Sequence, residues 1–194
     1  RGVSLLIDIE NSIKAAQSRG YEQWAKIHNL KQAAKTYNFL TTHGIEQYGD
    51  LTAKIAEVQA ASGQATEALK NVEARLSDMA VLIKNITTYQ KTKPVYDAYR
   101  KAKDRGSYRA AHERDIILHE AAVKAIKGAG ISKLPDIAAL QTEYAKLQER
   151  KEALYADYGK LKKQVKEYDV IKRNIDSILR QPREPEQEKG KERE

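Results

Sequence analysis

From Leu51 to Ile86, apolar or small residues fall at Leu51, Ile55, Val58, Ser62, Ala65, Leu69, Val72, Leu76, Met79, Ile83 and Ile86, alternating steps of four and three without a break. Such a heptad seam predicts a long helix winding around a partner, because a 3.5-residue period keeps one stripe facing inward. A second seam runs through Ile137, Leu140, Tyr144, Leu147, Lys151, Leu154, Tyr158, Leu161, Val165, Tyr168, Lys172, Ile175 and Leu179. Its two lysines fit if their stems lie along the seam and their ammonium groups reach water. Each predicted helix is about 65 Å long at 1.5 Å per residue. The expected pairing is antiparallel, with Ile86 near Ile137 and Leu51 near Lys172. In that register the small Ser62 and Ala65 face the bulky Leu161 and Tyr158. The rival pairing is a parallel homodimer through either seam.

Shorter amphipathic patterns flank these seams. Val3, Leu6, Ile9, Ile13 and Ala16 predict a helix ending near Gly20, and Trp24, Ile27, Leu30, Ala34, Tyr37 and Leu40 a second ending at Gly44. Together they read as a helical hairpin packed on the base of the long pair. Val95, Tyr96, Tyr99 and Ala102 suggest a short helix stopped by Asp104, Arg105 and Gly106. A further helix is expected from Ser107 to Lys127, closing at Gly128, Ala129 and Gly130. The segment from Gln181 onward, with two prolines, mixed charge and no apolar side chain, reads as a disordered tail. The expected fold is therefore all-α. It comprises an N-terminal helical hairpin (1–44), a first long coiled-coil helix (45–90), a small basic helical head at the turnaround (91–134), a second long coiled-coil helix (135–180) and the tail (181–194).

Composition narrows the function. Charged residues make up 32% of the 194, above the ordinary quarter, as expected of long helices. Absence of cysteine removes disulfides, thiolate metal sites and a cysteine nucleophile. No run approaches the roughly 18 apolar residues that a membrane span needs, so no membrane insertion is expected. The chain opens on Arg1 without the features of a signal peptide and is expected to be a piece of a longer protein.

Candidate chemistry is sparse. His112, Asp115 and His119 share a helical face at spacings of three and four, which suffices geometrically for a metal. A carboxylate and two histidines on a charged helix are more commonly surface, however, and no HExxH or further ligand stands nearby, so neither a metal nor a cofactor is expected. His28 and His43 fall near helix boundaries, as packing or cap residues do. Phosphate-binding glycine loops and the G-x-S-x-G turn are absent, and the many carboxylates single out no general acid and base.

The basic surplus, +8 overall, is unevenly placed. Between residues 91 and 114, eight cations stand against Asp97, Asp104 and Glu113, a local net of +5. Tyr89, Tyr96, Tyr99 and Tyr108 are interleaved with them. Cations that neutralise phosphates beside aromatic faces form a surface suited to nucleic acid. The candidate DNA-binding residues are Lys93, Arg100, Lys101, Lys103, Arg105 and Arg109. A second basic run, Lys160, Lys162, Lys163, Lys166, Lys172 and Arg173, extends the field along the last helix. The competing reading makes the tyrosines the core of the turnaround and the lysines its solvated face.

Residues 89–135, YQKTKPVYDAYRKAKDRGSYRAAHERDIILHEAAVKAIKGAGISKLP, together with LYADYGKLKKQVKEYDVIKRNIDSIL (154–179) and SLLIDIENSIKAAQSRGYEQWAKIHNLKQAAKTYNFL (4–40), resemble the C-terminal region of relaxase/mobilisation proteins of conjugative and mobilisable elements in gut Firmicutes. That family nicks one DNA strand at a transfer origin through a catalytic tyrosine and a histidine-held metal. The resemblance is one of running sequence and does not reach that chemistry: no histidine-x-histidine pair occurs, and none of the eleven tyrosines matches the nucleophile of the family's N-terminal nuclease domain. It implies a non-catalytic accessory region of a bacterial cytoplasmic protein that contacts DNA, relaxosome partners or a coupling protein. A coiled-coil protein-interaction module without DNA contact is the alternative.

Overall fold

A computed structural model describes residues 4–18 and 30–179. The expectations for Val3, Gly20, Trp24, Ile27, His28 and the tail lie outside these residues, as do the side-chain surroundings of Ala16 and Leu30. The described residues form an all-α protein of six helices: α1 Leu5–Ser18, α2 Leu30–Thr42, α3 Tyr48–Lys101, α4 Arg105–Ala111, α5 Glu113–Gly128 and α6 Ile137–Leu179. None is long and apolar enough to cross a membrane. The chain divides into two compact units, residues 1–63 with 159–194, and residues 64–158.

In the first unit, the core gathers Leu5 and Ile9 of α1, Ala33 and Leu40 of α2, Leu51 and Val58 of α3, and Tyr168, Ile171, Ile175 and Ile178 of α6. Helix α2 stops at Gly44, which adopts φ +65°. There the Ile45 amide donates to the Leu40 carbonyl (2.9 Å) and the Gly44 amide to Thr41 (3.2 Å), a Schellman closure whose two apolar partners, Leu40 and Ile45, are both buried. The Leu5 amide then donates to the Glu46 carbonyl (2.9 Å), tying the start of α1 to this link. Helix α3 begins with the Asp50 carboxylate reaching back to the Gln47 amide (3.1 Å).

Two faces differ from the sequence reading. On α2 the buried positions are Ala33, Thr36 and Leu40, while Ala34 is exposed and Tyr37 only half-buried. Thr36 tolerates complete burial because its hydroxyl donates to the Gln32 carbonyl (2.9 Å) and accepts from Asn174 Nδ2 (3.3 Å), so no polar atom is stranded. On α6 the stripe turns after Tyr168: Ile171 and Ile178 are buried, whereas the expected Lys172 is half-buried and Leu179 exposed. Here α6 meets α2 as well as α3, since Asn174 bonds Thr36 and the Tyr168 ring packs edge-on against Phe39 (5.3 Å). A helix packed on two neighbours buries a wider face than a two-strand seam requires. The Tyr48 hydroxyl, at the start of α3, donates to Asp176 near the end of α6 (2.9 Å).

In the second unit, α3 buries Leu69, Val72, Leu76, Met79 and Ile86. Along α6, Ile137, Leu140, Tyr144, Leu147, Lys151, Leu154 and Tyr158 are all half-buried. Lys151 Nζ reaches Glu73 on α3 (3.5 Å), and Arg75 pairs with Glu143. The short helix expected over Val95–Ala102 is the end of α3, which runs through Pro94 without a break. Proline removes one backbone donor, leaving the Gln90 carbonyl without its helical partner; Gln90 and Pro94 are both exposed, so that carbonyl is not sealed in the core. The helix expected over Ser107–Lys127 is instead two helices divided at His112. Asp104 caps the first, accepting from the Ser107 amide (3.1 Å) and hydroxyl (2.8 Å), which also holds its carboxyl below its ordinary range. Gly130, at φ +76°, closes α5 with a second Schellman pattern, Ile131 amide to Ile126 carbonyl (3.3 Å) and Gly130 amide to Lys127 carbonyl (3.0 Å).

Candidate functional site

Tyr89 and Tyr96 are seven residues apart on α3, so their side chains leave the same face about 10 Å apart along the axis. His119 of α5 lies between them, with its ring centroid 4.9 Å from Tyr89 and 4.4 Å from Tyr96 and both pairs stacked. The imidazole is buried, at 3% exposure, and its Nδ1 lies 2.9 Å from the Thr92 hydroxyl. The Thr92 hydroxyl also lies 2.7 Å from the Thr88 carbonyl, so it stands between the buried ring and the α3 backbone. Burial pushes the His119 pKa below its ordinary value, against the Tyr89 carbonyl and Asp97, which favour the charged ring.

The aromatic set continues outward. Tyr96 lies 5.8 Å from Tyr99, Tyr99 stacks on Tyr108 (6.4 Å), and Tyr108 packs on His112 (4.3 Å). The four tyrosines are all half-buried, forming the packing between α3, α4 and α5. His112 and His119 thus belong to separate aromatic contacts. No cluster of three or more metal-ligating side chains occurs among the described residues. His43 closes α2, its Nδ1 2.8 Å from the Phe39 carbonyl and its ring stacked on Phe39 (3.8 Å).

The six basic residues singled out from sequence fall into two groups. Lys93 and Arg109 are paired. Lys93 meets Asp97 one turn along (3.1 Å), and Arg109 grips both oxygens of Glu120 (2.8 and 3.3 Å) with its guanidinium 5.8 Å from the Tyr99 ring centre. That contact raises the Arg109 pKa and lowers that of Glu120. Arg100, Lys101, Lys103 and Arg105 form no ion pair among the described residues and are exposed at the α3–α4 turn. Arg105 Nη2 donates to the Arg100 carbonyl (3.0 Å), a neutral acceptor that pins the turn and leaves the charge uncompensated.

No protein-family model matches the chain, and no curated protein or solved structure shows significant similarity to it.

Beside the unpaired cations, a cleft of about 770 Å³ opens between the end of α3 and α5. Lys93, Asp97 and Arg100 line it from α3, and Glu120, Lys124 and Lys127 from α5, with Tyr89, Tyr96 and His119 among its walls. Lys124 and Lys127 escaped the sequence reading because they lie outside the dense 91–114 window. Their spacing of three, which puts both on one side of the buried stripe of Ile116, His119, Ala122 and Ile126, was the available signal.

Proposed function

We propose that this chain is a non-catalytic accessory region of a bacterial relaxase/mobilisation protein, contacting DNA through the basic α3–α4 turn during transfer of a mobile element. The observation that carries the DNA contact is the charge balance of that turn. Arg100, Lys101, Lys103 and Arg105 stand exposed with no carboxylate paired to them, whereas neighbouring Lys93 and Arg109 are neutralised. Uncompensated cations on rigid helix ends attract phosphates and release counterions on contact. The running-sequence resemblance over 4–40, 89–135 and 154–179 supports the relaxase context, and with it a cytoplasmic setting and relaxosome or coupling proteins as further partners.

Within each unit, the α3 and α6 segments pair as an antiparallel coiled coil in this reading. Tyr48 beside Asp176 in one unit and Glu73 beside Lys151 in the other support that direction and a register close to the one the seams imply. The rival reading, a protein-interaction module, draws on Val81 and Tyr155, which expose 57% and 55% of their surfaces on the long helices.

A duplex-DNA titration across salt concentrations separates the two. Affinity for DNA is expected to fall steeply as salt rises, and Lys101→Glu with Lys103→Glu is expected to weaken binding at low salt by about tenfold or more, with a shallower salt slope. Unchanged low-salt binding by that double variant would sink the reading.

A further inference from the structure

We propose that the cleft between the end of α3 and α5 is a nucleotide site, which takes an unpaired base against its aromatic wall and the attached phosphate on Arg100, Lys124 and Lys127. The inference rests on the DNA-contacting reading and names the form of DNA that the protein holds. Four cations and two carboxylates line the cleft. Both carboxylates are already engaged, Asp97 by Lys93 and Glu120 by Arg109 from outside the cleft. Arg100, Lys124 and Lys127 are left without an ion pair among the described residues, so the complementary ligand is an anion.

A simple inorganic anion would use only part of this surface. Tyr89, Tyr96, Val123 and Ile131 present aromatic and aliphatic area to the same space, and its volume of about 770 Å³ lies in the range of small-ligand sites. A phosphate joined to a planar, weakly polar ring matches both halves. The wall is already ordered, since His119 is clamped between the two tyrosines and held by Thr92, so little side-chain freedom is lost on binding. In a duplex the base faces are covered by their neighbours, which restricts the site to single strands or free nucleotides.

Fluorescence anisotropy with a labelled oligo-dT, a hairpin duplex and thymidine monophosphate as competitor distinguishes the sources. Oligo-dT is expected to bind more tightly than the duplex. Displacement of oligo-dT by the monophosphate identifies the site as open to free nucleotides as well; no displacement identifies a site that needs the strand, and either result agrees with the proposal. Lys124→Glu with Lys127→Glu alters exposed side chains and is expected to weaken oligo-dT by more than about threefold and by more than it weakens the duplex. A smaller loss in the lysine double variant, or an equal loss on both DNA forms, overturns the nucleotide site. If Lys101→Glu with Lys103→Glu still weakens the duplex in that case, the basic turn stands and only the cleft has failed. Absence of binding to every probe overturns both.

Discussion

His119 is the residue on which most of the second unit's polar design converges. Its neutral ring sits between Tyr89 and Tyr96 with Nδ1 on Thr92, and burial depresses its pKa below the ordinary 6.5. In the unfolded chain the ring protonates near that ordinary value, so acid favours unfolding. The stabilisation from the neutral ring is complete above pH 6.5 and is lost as pH falls from there through the folded value. Urea unfolding between pH 7.5 and 5.5 should show the midpoint dropping toward acid, with a smaller drop in His119→Gln, which keeps a polar partner for Thr92 but cannot titrate. An identical pH dependence in both proteins would show that other groups control it. None of this network was legible in the sequence, where His119 reads as a surface partner of His112. Adjacency on one helix says nothing about the tyrosines that α3 brings to it from 30 and 23 residues away.

At the scale of helices, termination was the most legible feature. Gly44 and Gly130 end their helices in left-handed conformations, and a Cβ at either would meet no atom within 4 Å. Gly130→Ala therefore adds no clash and should cost only the backbone penalty, about 1 kcal/mol in chemical denaturation. A loss of several kcal/mol would mean that the turn does more than close α5. Pro94 is the opposite case. Proline inside a helix costs a backbone hydrogen bond, yet α3 continues through it, with Thr92 and Ile86 buried on the turns before it. Pro94→Ala should restore that bond to Gln90 and stabilise the protein by about 1–3 kcal/mol, read from the denaturation midpoint. Destabilisation instead would indicate that proline's fixed φ is what sets the path of the last turns of α3. The break at His112 was missed for a related reason. Arg109, Ala110, Ala111, Glu113 and Arg114 around the break are ordinary helix formers, so spacing gave no stop signal there, and the Tyr108 ring that packs on His112 is visible only in the structure.

At the largest scale, the point to test is the proposed pairing of α3 with α6 within each unit. In the second unit, every α6 seam residue from Ile137 to Tyr158 is half-buried while Leu69, Val72, Leu76 and Met79 of α3 are buried, and the proposed pairing rests on that. The bridging ion pairs add little by themselves, being exposed, so direction is better tested by geometry than by charge. The chain has no cysteine, so Glu73→Cys with Lys151→Cys provides a clean pair for a short bis-maleimide. Crosslinking at low protein concentration should give a product of monomer mass. A product of dimer mass alone would favour the parallel homodimer.

The sequence by itself determined the helical character, the two seam periods and the glycine stops, because these depend on backbone preference and spacing along one helix. It also located the basic surplus. Tertiary structure decided which face positions become core and which cations stay charged toward solvent. Thr36 enters the core, and Ile171 and Ile178 displace Lys172 and Leu179, because α2 lies against α6. Arg109 is neutralised by Glu120 and Lys93 by Asp97, while Arg100, Lys124 and Lys127 gather around one cleft. Burial and charge pairing are properties of neighbours in space, and those neighbours come from helices that the local pattern describes only one at a time.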